Sequence, residues 1–337
     1  ATTPAPVAQG KMAAPTPSAD KVVDTGIDWS KASEREVTLF YPGQTSMEWV
    51  LVGKYHGGAR PVKIGDRCIV CHEQELGDMG HKMVTGTKAE PTPIAGKRGS
   101  IPVSVKTTHD ADNLYFKFQW EGTDHAPVPF VEGGKMDPKN QVKLAIMLAS
   151  DEVKYAKQAG CWGTCHEDLR TMPGHPEDPA SSGLALDLSQ GVTKYINESR
   201  TKVEEKGRRG KKLGGWDKLK EGGDIKAELE AGHYMDILRV NSGDGSAENG
   251  HILDQRYMTG GQGFETTIKE EAGFWTVVMK RPLSSSATGD ISLEAGKIYN
   301  FGFAIHDDYS TARFHHVSLG YKLALDNPEA ELNVVAQ

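Results

Sequence analysis

The sequence has little cysteine, few aromatic residues and no long hydrophobic run. Its 337 residues include four Cys and 7% aromatic residues. No window of about 18 or more apolar residues occurs, so no membrane span is predicted. A net charge of -7 argues against a nucleic-acid partner held by counterion release. Nucleophile elbows of the G-x-S-x-G form and phosphate-binding glycine loops are also missing. The composition indicates a soluble globular protein with one large or two modest cores.

All four cysteines lie in two short clusters that each end in histidine. Residues 68–72 read C-I-V-C-H, and residues 161–166 read C-W-G-T-C-H. C-x-x-C-H is typical of c-type haem attachment, in which two thiols form thioethers and the histidine coordinates the iron. C-x-x-x-C-H is a rarer variant, whose extra residue a Gly-containing loop accommodates. We therefore expect two covalently bound haem c groups, held by the following cysteines and proximal ligands: Cys68, Cys71, His72, Cys161, Cys165 and His166.

Other uses of these cysteines remain open at this point. A zinc site would need further Cys or a His pair at ligand spacing, and no third pair of thiols exists. A redox dithiol needs only one Cys-x-x-Cys pair. A disulfide framework is typical of small chains with dense cysteine, unlike this one.

Haem c attachment also predicts a compartment and a division of the chain. Bacterial c-type maturation follows export, so we expect a periplasmic protein whose signal peptide has been removed, in keeping with a start at Ala1 without Met. Residues 1–36 are predicted to be a flexible leader, because their Ala/Pro/Thr-rich beginning has few large apolar groups. Residues 37–96 are expected to form an N-terminal haem c segment with a Pro/Gly-rich linker, and residues 97–337 a larger haem c domain.

The larger domain is predicted to be mainly β. In residues 114–120, Leu, Phe, Phe and Trp alternate with Tyr, Lys and Gln, which is typical of a half-buried strand. Similar runs occur at residues 142–148, 235–240, 274–279, 299–305 and 314–325. Many strands joined by turn-rich connections favour an antiparallel β-sandwich with helical insertions. Parts of 186–205 and residues 225–231 are the predicted helices.

The first haem needs a second axial ligand, usually His or Met. His56 precedes the motif, and Gly57 and Gly58 after it would permit close approach to a flat ring. The competing residues follow the motif: Met79, His81 and Met83.

For the second haem, the final strand carries two adjacent histidines. With a regular period, His315 shares a face with the apolar residues Val317 and Leu319, whereas His316 lies on the other face. This favours His315, although a register slip or bulge would select His316. His306 and Met258 are further alternatives.

Four stretches carry a resemblance to a known family: residues 114–120, 234–238, 275–283 and 304–325. Through them the chain from about residue 97 onward resembles the haem-binding domain of ethylbenzene dehydrogenase and dimethylsulfide dehydrogenase γ-subunits. The resemblance implies a β-sandwich that holds a b-type haem between Met and Lys and passes electrons from a molybdenum partner. This sequence departs from that pattern, with the second Cys motif near the Met position and the His315-His316 pair near the Lys position. With its N-terminal haem segment, the whole chain resembles dihaem cytochromes of the c-552 kind.

These observations favour an electron-transfer protein over an enzyme. We expect single electrons to pass between a redox donor and an acceptor, and a periplasmic oxidoreductase is a candidate for one of them. The alternative is a haem enzyme with an open iron that acts on peroxide or on a nitrogen or sulfur oxide, with His306, Asp307 and Asp308 as acid or base. Residues 200–221 carry nine Lys/Arg against four Asp/Glu, which indicates either a solvated loop or a docking patch for an acidic partner.

Overall fold

The computed structural model describes residues 23, 25–43, 50–51, 53, 56–88, 90, 93–126, 136–164, 196–202, 216–311 and 314–337. Cys165 and His166 lie outside these residues, as do most of the predicted leader, most of the basic 200–221 stretch and most of the predicted 186–205 helix. No helix in the described part is both long and apolar enough to cross a membrane.

Strands dominate the described part of the chain. Their bounds are β1 Ser33–Phe40, β2 Ser100–His109, β3 Asn113–Glu121, β4 Lys143–Ala149, β5 Arg200–Lys202, β6 Trp216–Leu219, β7 Met235–Asn241, β8 Ala247–Ile252, β9 Arg256–Tyr257, β10 Glu265–Glu271, β11 Phe274–Pro282, β12 Tyr299–His306, β13 His316–Val317, β14 Tyr321–Leu325 and β15 Leu332–Ala336. All except β5 and β6 join one sheet in the order β10-β11-β3-β2-β1-β13-β12-β4-β7-β8-β9, with β14 and β15 linking β12 to β2.

The sheet folds over a core of aromatic side chains. Phe116 and Phe118 of β3 point inward, as their alternation with polar neighbours predicts. Their rings pack against Phe301 and Phe303 of β12, with centroids 5.6 Å and 5.2 Å apart respectively. Because β3 and β12 face each other across these contacts, the predicted antiparallel sandwich is confirmed.

Two central strands are buried on both faces. Every residue of β4 and β12 is buried, which a half-exposed sheet would not allow. Helix α4, Ala156–Thr164, covers the outer face of β12. The second Cys motif therefore begins on a helix that lies against the sheet.

The remaining helices are short. They are α1 Ala59–Lys63, α2 Cys68–His72, α3 Leu76–Val84 and α5 Gly222–Glu230, with 3-10 turns at Glu73–Glu75 and Asn197–Ser199. Helix α5 contains the predicted 225–231 helix almost entirely. The described part of the predicted 186–205 helix holds a 3-10 turn and strand β5 instead.

The N-terminal segment is tied closely to the sheet. Strand β1 pairs with β2 along its whole length and with β13 at Phe40, so the predicted boundary at residues 36 and 37 falls inside a strand. The backbone of α3 touches the residue before β2, where a Cβ added to Gly80 would collide with the carbonyl oxygen of Gly99. The division into three segments stays a prediction.

Two of the stretches that carry the family resemblance meet in the core. Asp236 of β7 and Arg281 of β11 form a buried ion pair, with Arg281 Nη1 2.8 Å from an Asp236 oxygen. Arg281 also donates to the carbonyl of Ile291. Removing one partner of such a pair costs about 3–5 kcal/mol, since the other charge stays buried.

Candidate haem-binding sites

The first Cys motif forms helix α2 at the surface. Cys68 and Ile69 are buried, whereas Cys71 is exposed and Val70 is 73% exposed. The pattern follows from the short helix, because residues on its inner face pack on the core and those on its outer face meet solvent. Burial raises the pKa of the Cys68 thiol to about 11. An attacking thiol needs a lowered pKa, so Cys68 does not suit that role in a redox dithiol.

The structure brings His56 opposite His72. Their ring centroids are 6.0 Å apart, and the ring planes are inclined by 33°. His56 Nδ1 lies 3.1 Å from the carbonyl oxygen of Val50, and His72 Nδ1 lies 3.1 Å from a carboxylate oxygen of Glu75. Each ring donates through Nδ1, so the Nε2 lone pair of each remains available to a ligand.

This spacing fits one iron between the two imidazoles. With metal–nitrogen bonds of about 2.0–2.1 Å and about 1.1 Å from each nitrogen to its ring centre, two opposed imidazoles have centroids roughly 6.2–6.4 Å apart. The observed 6.0 Å is a few tenths of an ångström shorter. The donor set and the two thiols of α2 therefore fit a covalently attached haem.

Gly58 allows His56 to take this position. A Cβ added to Gly58 would lie 2.7 Å from Cε1 of the His56 ring, so a larger residue would displace the imidazole. The close approach expected from the glycine pair is therefore between the backbone and the histidine ring.

The competing residues after the motif lie elsewhere on α3. Met79 packs against the main core, and Met83 packs against the smaller cluster around Tyr41. His81 is exposed. Of these candidates, His56 is the one whose ring centroid lies 6.0 Å from that of His72.

The second motif begins at a kink in α4. Gly160 has φ 55° and ψ -138°, a conformation open essentially to glycine alone. It permits close contact with the sheet, where an added Cβ at Gly160 would lie 2.6 Å from Gly320 Cα. Cys161 is buried against Gly302 of β12, since a Cβ on Gly302 would lie 2.7 Å from the Cys161 nitrogen.

The strand register separates the histidines expected to serve the second haem. Gly302 and His306 lie on the same face of β12, which is the face that Cys161 covers. The His306 and His315 rings stack with centroids 4.5 Å apart. His316 pairs with Ile305 and so lies on the opposite face, where its Nε2 donates to the carbonyl of Arg98 at 2.8 Å.

The environment of His306 suits a neutral ligand. Burial, followed by the nearby charges of His315, Lys143 and others, holds its pKa well below the usual range. Its buried Nδ1 has no hydrogen-bond partner among the described residues. A stacked pair at 4.5 Å is too close to bracket one iron, so at most one of His306 and His315 could ligate opposite His166. Met258 is half-buried on the core near the end of β9.

The carboxylates after His306 form an ion-pair network that the sequence did not reveal. Asp307 binds Arg98 and Asp308 binds Lys97, each at 2.7 Å, and His125 lies within 3.5 Å of both carboxylates. His125, Asp307 and Asp308 are the one grouping of potential metal ligands among the described residues, and Arg98 and Lys97 already neutralise its carboxylates.

The grouping of potential metal ligands in the described structure does not include Cys68 or Cys71. No third ligand therefore joins these two cysteines there, which disfavours zinc.

A Cys-x-x-Cys-His helix with a second histidine near it is typical of a c-type cytochrome, and the comparisons show that class. The chain is 40% identical to cytochrome c-552 of Stutzerimonas stutzeri over 302 residues, covering 89% of this chain and 87% of that protein. It is 30% identical to cytochrome c-551 of Rhodocyclus tenuis over 311 residues, covering 92% and 99%. The protein is a c-type cytochrome with covalently bound haem c.

The family is established by a further match. The sequence model of the ethylbenzene dehydrogenase family matches residues 27–318, and the chain belongs to that family. A solved family 9 carbohydrate-binding module from Caldicellulosiruptor kristjanssonii, in complex with cellotriose, covers 65% of each chain at 10% identity and a TM-score of 0.27. That likeness is too weak to bear on the fold.

Proposed function

We propose that the protein is a periplasmic dihaem cytochrome that carries single electrons between redox partner proteins. The observation that carries the proposal is the His56–His72 pair. Two imidazoles on opposite sides of an iron fill its axial positions and leave no site for a substrate, which suits electron transfer. Paired histidines also favour the ferric state relative to a His/Met pair, so a low potential is expected.

The chain's own residues would hold and tune the first haem. Cys68 and Cys71 supply the thioethers, and His72 and His56 supply the axial nitrogens. The bonds from their Nδ1 atoms to Glu75 and Val50 fix the tautomers and ring directions. When bound, haem supplies an iron that cycles between ferric and ferrous states.

The second haem would be held by Cys161 and Cys165, with His166 as proximal ligand. Its distal ligand is proposed to come from the stacked pair of His306 and His315, because both lie on the face that Cys161 covers. His316 is less suited, since its Nε2 already donates to the Arg98 carbonyl.

A partner protein could reach the first site directly. Cys71 and Val70 of α2 are exposed beside the axial histidines, and Ile64 at the end of α1 is 74% exposed. Exposed apolar side chains beside a redox centre suit brief encounters with another protein.

Intact mass and carbon monoxide binding test this function. Protein matured in a strain competent for haem c attachment should carry two haems, and its ferrous form should not bind carbon monoxide. A mass equal to that of the polypeptide alone would refute the proposal. Rapid carbon monoxide binding by the wild-type protein would instead support the enzyme alternative. Single replacements of His306, His315 and His316 by Ala identify the distal ligand of the second haem. Either His306→Ala or His315→Ala should allow carbon monoxide to bind the second iron, whereas His316→Ala should not.

A further inference from the structure

The residues that precede the two Cys motifs meet at one glycine. Arg67, immediately before Cys68, donates from Nη2 to the carbonyl oxygen of Gly320 at 2.8 Å. Gly160, immediately before Cys161, packs its backbone against Gly320, and an added Cβ there would lie 2.6 Å from Gly320 Cα. The segment between β13 and β14 therefore touches both attachment helices.

Arg67 is held firmly in this position. Its Nη1 and Nη2 bind the two carboxylate oxygens of Glu331 at 2.6 Å and 3.1 Å. Glu331 also accepts the backbone N–H of Lys322 at 2.7 Å. The Arg67 side chain is 12% exposed, and such a two-point ion pair is both stronger and more directional than a surface pair.

The attachment helices consequently lie side by side. Helices α2 and α4 approach with Cα atoms within 8 Å of each other. Each helix carries the first cysteine of its motif within two residues of the Gly320 contact. Groups bound to Cys68 and Cys161 are thus anchored at neighbouring points.

We propose that Arg67 is a positioning residue, which with Gly320 and Glu331 fixes the spacing of the two haem attachment helices and thereby the rate of electron exchange between the haems. The inference rests on the dihaem function proposed above. In the exchange one iron goes from ferrous to ferric as the other goes from ferric to ferrous, with no bond made or broken. Since electron tunnelling falls exponentially with distance, a small shift of one helix changes this rate measurably.

Arg35 offers a matched control. It binds Glu73, directly after His72, at 2.6 Å, and so also ties the first motif to the sheet. Arg35 lies on β1, and its guanidinium lies over the Tyr321 ring at 5.2 Å from the centroid, but among the described residues no hydrogen bond joins it to the Gly320 carbonyl. Loss of this pair should loosen the N-terminal segment about as much as loss of any half-exposed ion pair, without releasing the contact between the two helices.

The experiment compares Arg67→Ala, Arg67→Lys and Arg35→Ala in the full-length, haem-loaded protein. Intact mass first counts the haems, and flash photoreduction then measures electron exchange between them. In Arg67→Ala, electron exchange between the haems should be several-fold slower than in the wild type. Both haems should be present, and the optical spectrum should show unchanged axial ligation. Arg67→Lys, which keeps the charge without the two-point geometry, should be intermediate, and Arg35→Ala should match the wild type.

Equal rates in Arg67→Ala and the wild type would overturn the positioning role, as would equal slowing in Arg35→Ala. If Arg67→Ala fails to mature, Glu331→Gln gives the same test. This variant weakens the ion pair that holds the Arg67 side chain against Gly320 without removing the arginine itself. A wild-type mass with fewer than two haems would refute the dihaem function itself, an outcome distinct from unchanged exchange in a dihaem protein.

Discussion

Replacing Gly160 by Ala tests how closely the second motif must approach the sheet. Gly160 combines a positive φ with backbone contact to Gly320, and it immediately precedes Cys161. An alanine methyl group would be strained by the backbone conformation and would also collide with the Gly320 backbone. Both contacts are made by backbone atoms, so relieving the collision would require a shift of α4 or of the segment between β13 and β14.

The expected cost follows from these two contributions. A non-glycine residue in a sparsely populated conformation costs about 1–3 kcal/mol. Forcing a methyl group into a packed contact adds about 1–3 kcal/mol, so Gly160→Ala should lower the free energy of unfolding by about 2–6 kcal/mol. Chemical denaturation of the haem-loaded protein measures the change, and intact mass reports whether attachment at Cys161 is impaired.

Gly245→Ala separates strain from contact. Gly245 has φ 65°, and an added Cβ there would meet no atom within 4 Å. This variant should lose only the conformational contribution, about 1–2 kcal/mol. If Gly160→Ala and Gly245→Ala lose the same free energy and both keep full haem content, the close approach of α4 to Gly320 is refuted.

Three further predictions concern the ligands, the buried charges and the surface. His56→Ala should open the first iron, so its ferrous form should bind carbon monoxide, while the exposed-site control His81→Ala should stay unreactive. Burial tends to lower the pKa of His125, but the neighbouring carboxylates of Asp308 and Asp307 raise it overall. Because the folded-state pKa of His125 is raised, its protonated form stabilises the folded protein at low pH. The excess of the wild type over His125→Asn in free energy of unfolding should therefore be complete below about pH 6.5. It should shrink as the pH rises through the folded-state pKa of His125. Denaturation from about pH 6 to about pH 9 measures it, and an advantage that grows with pH would contradict the assignment. Val70→Lys should change the free energy of unfolding by less than about 0.5 kcal/mol, yet slow electron transfer with a partner protein in stopped-flow mixing; an unchanged rate would argue against docking at α2.

Local sequence signals predicted the parts of the molecule that depend on neighbouring residues. Strict alternation predicted residues 114–120 of β3 and residues 274–279 of β11. His56 was chosen because Gly57 and Gly58 would permit close approach to a flat haem ring, and its role as an axial ligand stays a prediction. Alternation of apolar and polar residues reports a local constraint, so tertiary contacts did not change the predicted strands.

The final strand shows where that reasoning fails. Residues 314–325 were expected to form one strand, but β13 and β14 are separated by residues 318–320. Ser318 accepts the Phe303 N–H on its side-chain oxygen and donates its own N–H to the Phe303 carbonyl, each at 2.9 Å. A side-chain hydroxyl therefore replaces a backbone partner and interrupts the ladder. The interruption places Gly320 against α4, a long-range contact that no local pattern encodes.

Burial distinguishes the surroundings of the two motifs. The helix of the first motif exposes Val70 and Cys71, whereas Cys161 and Trp162 of the second are 1% and 5% exposed. Burial in a medium of low polarity disfavours the additional positive charge of ferric iron, so with similar ligands the second site should hold its electron more tightly. Under the proposed function a partner protein meets the exposed first motif, whereas Cys161 of the second lies against the sheet. Because Arg67 and Gly160, the residues that precede the two motifs, both contact Gly320, the proposed route runs from the exposed site to the buried one, and the Arg67 contact lies where that route passes between helices.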